Sequence, residues 1–228
     1  MTTQMNDFIQ QILKELESAS YIQPDEIPAI ELYMDQVTTF MDRHLASSKR
    51  NAEDKILTKT MINNYAKNDL LPPPIKKKYS RDHILMMIFI YYFKGFLSIS
   101  DIQSLLNPLA DRHFGENAEL SLSKLYTEVF GLEKKQLEVL NQDVLNKLEL
   151  AQSTFDDSDY SDKSFLQFFS MISMLSFDVY IKKQIIEKMI DSLLPGISPS
   201  AVADPHKEKA EAKAAKKAAE KNVKKENG

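Results

Sequence analysis

Apolar residues recur at helical spacing along most of the chain. Met5, Phe8, Ile9, Ile12, Leu13 and Leu16 form one face of an amphipathic helix predicted from Thr3 to Ala19. The segment YIQPDEIP interrupts it. A second helix is predicted from Pro28 to Ala46, with Pro28 in the first turn and Ile30, Tyr33, Val37, Phe40 and Met41 facing inward. After the polar stretch SSKRNAED, Thr58 opens a third helix, because its hydroxyl can accept from the unpaired N–H groups of the first turn. Met61, Ile62 and Tyr65 face inward, and Leu57 sits just outside the cap as a staple residue. Pro72 stops this helix and biases Leu71 toward extended geometry.

Ser80 caps a fourth helix with Ile84, Met87, Ile88, Tyr91 and Tyr92 on one stripe, ended by Gly95. SISD, from Ser98 to Asp101, is a capping box with Asp in place of Glu and opens a short fifth helix through Leu106. Leu122, Leu125, Tyr126 and Val129 mark another helix, closed by Gly131. Leu137, Leu140, Val144, Leu148 and Ala151 mark the next, and DDSDYSD is an acidic turn. The last helix, from Lys163 to Leu194, is apolar over most of its circumference, which predicts a central or interface position. Beyond Pro195, Pro199 and Pro205, a Lys/Glu/Ala-rich tail holds one large aliphatic residue, Val223, too little to offset ordering entropy. The expected fold class is all-α, with at most a minimal two-stranded wing between Ile75 and Tyr79.

Composition narrows the function classes. The absence of cysteine excludes disulfides, thiolate metal sites and cysteine nucleophiles, and suits a cytoplasmic setting. The apolar stretch from Phe165 to Ile181 contains Gln167, Asp178 and several serines, so a buried helix is expected rather than a membrane span. Glycines are too scattered for a phosphate loop, and no HExxH or GxSxG motif occurs. Asp111 and His113 are a weak candidate ligand pair. The acidic turn read as a calcium loop from Asp157 lacks Gly at the sixth position and Glu at the twelfth. Neither a cofactor nor an enzymatic activity is expected. Charge is more informative: net −4 overall, yet Lys55 to His83 holds seven basic residues and two acidic ones. An acidic body with a basic island is a candidate docking patch for phosphates.

Within that island, LTKTMINNYAKNDLLPPPIKKKYSRDHILMMIFIYYFKGFLSISDIQSLL resembles the MerR-type winged helix-turn-helix. More narrowly, it resembles a bacterial family catalogued as domain of unknown function 1836. The resemblance spans roughly Ile27 to Leu106 and is carried by a set: the Thr cap, Ile62, Tyr65, LLPPP, then YS opening a helix. It implies that Lys59 to Asn68 is a recognition helix. Thr60 matches a position where MerR-type proteins carry a DNA-contacting Arg. Tyr65 matches the second of a Tyr–Tyr pair whose family role is phosphate contact, and Asn64 replaces the first. Lys77 corresponds to a wing Arg, and Tyr79–Ser80 lead into the next helix. Asp69 stands where the family has Gly, and the wing is several residues shorter. A helical C-terminal domain takes the place of the family's long dimer coiled coil.

The residues support the same idea physically. A helix in the major groove presents Lys59, Thr60, Asn63, Asn64 and Lys67 to base edges, where Asn pairs with adenine and Lys with guanine. Lys76, Lys77, Lys78 and Arg81 then hold phosphates without reading sequence. The expected organisation is an N-terminal helix and linker (1–26), a MerR-like helix-turn-helix domain (27–110), a helical dimerisation or effector domain (111–198) and the tail (199–228). The expected function is transcription regulation by a homodimer on double-stranded DNA, with a small-molecule effector as a further partner and no membrane. Two alternatives stand beside it. One is an all-helical protein-interaction module. The other is a small-molecule sensor with a pocket lined by Phe165, Phe168, Phe169, Phe177 and Tyr180.

Overall fold

The structure is a computed structural model and describes residues 2–18, 21–115, 118–156 and 160–193. Helix α1 (Thr2–Ser18) precedes a 3-10 turn (Pro24–Glu26), strand β1 (Leu32–Tyr33) and helix α2 (Met34–His44). A second 3-10 turn (Ala46–Ser48) leads toward α3 (Lys59–Lys67) and strand β2 (Lys78–Tyr79). Helices α4 (Arg81–Phe93), α5 (Ile99–His113), α6 (Leu122–Phe130), α7 (Glu133–Gln152) and α8 (Lys163–Leu193) complete it. The protein is mostly helical, with one antiparallel pair of strands in which Leu32 faces Tyr79 and Tyr33 faces Lys78. The expected helix end at Ala19, residues Asp157 to Asp159 of the acidic turn, Leu194 and the whole tail lie outside the described residues.

The local signals set the helix starts. Thr58 Oγ1 accepts the Met61 N–H at 3.2 Å, and Leu57 and Ile62 are both buried as a staple. Ser98 Oγ accepts from Asp101 N–H at 3.1 Å, while Asp101 Oδ2 accepts from Ser98 N–H at 3.2 Å. Three expectations are corrected. The second helix begins at Met34, not Pro28. Leu32–Tyr33 is extended because it pairs with β2, and Gln36 Oε1 accepts the Tyr33 N–H at 2.9 Å, which fixes the first turn there. Ile30 is consequently 71% exposed. The fifth helix runs through Pro108 to His113, since burial of Leu106, with Leu109 and Ala110 packed against the core, outweighs the roughly 3 kcal/mol proline penalty. The third concerns the centre of the fold.

That centre is α4 rather than the last helix. Every residue from His83 to Ile90 is buried, so α4 is enclosed on all sides rather than along one stripe. The main core assembles around it, from Ile22 and Ile27 through Ile62 and Leu70 to Tyr126, with Ile190 of α8 closing it. Tyr126 is fully buried, and its hydroxyl donates to Ile22 O at 2.7 Å, joining α6 to the start of the core. A smaller second core joins Ile9 and Leu13 of α1, Leu148 and Ala151 of α7, and Met171 of α8.

The end of α3 is a Schellman turn. Leu70 N–H donates to Tyr65 O at 2.9 Å and Asp69 N–H to Ala66 O at 3.4 Å, with Asp69 left-handed at φ 53. Gln103 Nε2 of α5 also caps this end through Asn68 O at 2.5 Å. Asp69→Gly is therefore expected to raise stability by about 0.5–1 kcal/mol net, because Gly carries no Cβ penalty there. Urea denaturation checks this; a lowered midpoint would contradict the capping account.

Candidate nucleic-acid interface

Helix α3 is anchored on one side and bare on the other. Ile62 and Tyr65 are buried, while Lys59, Thr60, Asn63, Asn64 and Lys67 are all exposed. Spacings of one and four residues put these five on a single outward face. Asn and Thr offer neutral donors and acceptors there, and Lys67 offers charge.

Beside α3 the chain turns sharply. Leu70 and Leu71 plug the core, and Pro72 to Pro74 carry the chain outward to a tight turn from Ile75 to Lys78. Lys78 N–H donates to Ile75 O at 2.9 Å. Both central residues, Lys76 and Lys77, are left-handed at φ 50 and φ 64 and are exposed. This is the primed-turn geometry that favours Asn-Gly, so two lysines there cost on the order of 1 kcal/mol each. The two-stranded wing expected between Ile75 and Tyr79 is not formed within that stretch: it holds this turn and one bridge, Ile75 to Lys78, and the strand that pairs with Lys78–Tyr79 is β1.

His83 locks the turn to α4. Its Nδ1 accepts the Ser80 N–H at 3.0 Å, and its Nε2 lies 3.4 Å from Pro73 O. The ring meets Tyr79 and Phe114 edge-on at 5.5 and 4.8 Å. Burial pushes the His83 pKa below its ordinary value, opposed by the Pro73 carbonyl and Asp82. The neutral imidazole is the form that can accept from Ser80 N–H.

The charged and aromatic candidates differ in their surroundings. Tyr65 and Tyr79 are core residues, 8% and 3% exposed, and burial raises both hydroxyl pKa values. They support the surface rather than form it, so the phosphate contact that the resemblance implies for Tyr65 does not fit its buried position, and Tyr79, expected as a DNA-binding residue beside Lys78, is likewise enclosed. Arg81 is turned inward: Nη2 donates to Pro24 O, and Nε is buried. Lys59 pairs with Asp35, and Lys78 lies 3.7 Å from Glu31 and over the Tyr33 ring. Lys67, Lys76 and Lys77 have no ion pair among the described residues. Counting charge from Lys55 to His83 missed Glu31, just before β1, and Asp35 of α2. The available signal was the acidic pair flanking LYM.

Other candidates resolve differently. His113 Nδ1 lies 2.9 Å from Leu120 O, and no group of three or more ligating side chains meets among the described residues. Phe165, Phe169, Phe177 and Tyr180 are exposed, and Phe168 packs beside Phe8. An apolar cleft of about 640 Å³ lies elsewhere, between α1, α4, α6 and α7, bordered by Leu16, Tyr92, Phe93, Phe130 and Leu137.

The class defined so far is a mostly helical protein that presents a polar helix face next to a basic turn. Residues 22–129 match the family model described as Domain of unknown function (DUF1836). The match begins at Ile22, where the main core begins, and ends within α6. No curated protein and no solved structure matches the chain.

Proposed function

We propose that this protein binds double-stranded DNA, with α3 in the major groove and the Lys76–Lys77 turn on the phosphate backbone, and that it regulates transcription. One feature supports this above all: Thr60, Asn63, Asn64 and Lys67 form a single exposed face held rigidly by buried Ile62 and Tyr65. Asn63 and Asn64 suit adenine edges, and Lys67 suits guanine. Lys76 and Lys77 stand in strained backbone without an ion pair among the described residues, as expected of residues kept for contact rather than for turn stability. The order α2, α3, turn, α4 follows the MerR-type winged helix-turn-helix. It departs from that plan in the long connection from Leu45 to Thr58, where a helix-turn-helix has three or four residues.

A protein-interaction module is the second reading. Its support is the pairing of Lys59 and Lys78 with Asp35 and Glu31, which withdraws charge from the patch. Selection from a random duplex library separates the two. Enrichment of a defined site with adenines at contacted steps is the expected result. Recovery of no enriched sequence, together with no salt-dependent retention of duplex DNA, would discard the DNA reading.

A further inference from the structure

Helix α8 has 31 residues and is about 46 Å long. Its two halves are covered on different faces. In the first half Met171, Met174 and Leu175 pack on α1 and α7. In the second half Ile186 and Ile190 pack into the main core, next to α5. The face used by Ile186 and Ile190 can be traced back along the helix in alternating steps of three and four residues. It passes Lys183 and Val179, then Ser176 and Ile172, and reaches Phe169 and Phe165. This is a heptad stripe. Its second half is filled by the chain itself, and its first half is bare: Phe165 is 64% exposed and Val179 62%, with Phe169 and Ile172 also exposed.

We propose that a second copy of this chain covers the bare half, with the two α8 helices antiparallel about a two-fold axis near Ile172 and Ser173. The stripe is self-complementary only in that sense. Bulky Phe165 and Phe169 lie at one end of the bare half, and the smaller Ser176 and Val179 lie toward the other. Antiparallel pairing about that axis seats Phe169 against Ser176 and Phe165 beside Val179 and Tyr180, whereas parallel pairing would stack the phenylalanine rings at one end and set serine against serine further along. The area suffices. Phe165, Phe169 and Tyr180 together with Ile172 and Val179 expose roughly 500 Å² of side chain. Phe8, beside Phe168, and Tyr160, leading into the helix, flank them and bring the patch to about 700–800 Å² per copy, the size of a standard interface. The charge pattern agrees. From Ser164 to Ile181 the only charged side chain is Asp178, and it is turned toward α7, 2.9 Å from Lys147. By length and composition alone α8 also meets the minimum for a membrane span, so vesicle binding is the competing outcome.

The chain has no cysteine, so a single introduced one reports on the interface alone. Light scattering on the full chain at micromolar concentration should give twice 26.1 kDa. Phe169→Glu with Ile172→Glu should give the monomer mass with unchanged circular dichroism, because both sites are exposed, and melting should lose its dependence on protein concentration. Ser173→Cys should form a disulfide-linked dimer on oxidation. Phe165→Cys should not, since its two copies would lie about 20 Å apart along the axis, beyond disulfide reach. A monomeric wild type, a dimer that survives the double substitution, or equal cross-linking at both cysteines would overturn the proposal. Flotation with phosphatidylcholine vesicles in place of dimerisation would also overturn it. None of these results depends on DNA: a monomer that binds DNA would sink this inference and leave the DNA reading standing.

Discussion

A chain carrying Lys76→Ala and Lys77→Ala is expected to bind duplex DNA on the order of 60-fold more weakly at about 0.1 M salt. The slope of log affinity against log salt should become shallower by about 1.8, because each neutralised phosphate contributes about 0.9. Both lysines stand at the tip of the turn without an ion pair among the described residues, so neither gives up a described partner on binding. Alanine fits the left-handed region no worse than lysine, and both side chains are exposed, so melting should stay as in the wild type. Lys78→Ala should behave differently. Lys78 already faces Glu31 and the Tyr33 ring, so its removal should change the slope by less than 0.9 and loosen the β1–β2 pairing instead. Anisotropy titrations from low to moderate salt measure both quantities. An unchanged slope in the double variant, with the fold intact, would remove the turn from the DNA reading.

What was legible in the sequence was local. Thr58 and Ser98 act within three residues of themselves, so their capping could be read from short patterns. The unusual Asp69 was visible as an Asp in a Gly position, and its left-handed backbone gives the reason. Contacts between distant segments were not legible. Strand β1 is two residues long and pairs with a partner far along the chain, so it has no period of its own. The ion pairs of Lys59 and Lys78 exist only because β1 and α2 fold back against α3 and the turn. Helices α4 and α8 are both apolar, and periodicity cannot say which of two apolar helices is enclosed. Packing of α6 against α4 decided it, leaving the first half of α8 with an open face. The same limit applied to Tyr65, which lay on the inward stripe and also matched a phosphate-contacting position in the resemblance.

Tyr65 provides the second large effect. Tyr65→Ala is expected to cost about 3–5 kcal/mol, as for removal of a buried aromatic ring, and to abolish DNA binding by unfolding the site. Tyr65→Phe should stay within about 1 kcal/mol of the wild type and keep both affinity and salt slope. The ring is 8% exposed, and burial raises its hydroxyl pKa, which marks a group taken out of water rather than one waiting for a phosphate. Its carbonyl also accepts from Leu70 N–H at 2.9 Å and Leu71 N–H at 3.2 Å, so the residue fixes the end of α3 from which the proline run departs. Tyr65 would then act on DNA only by holding Asn63, Asn64 and Lys67 outward. Urea denaturation and anisotropy on the two variants test this. Were Tyr65→Phe to melt normally yet lose affinity and about 0.9 of salt slope, the hydroxyl would be a phosphate contact after all, and α3 would have to rotate from the orientation described here.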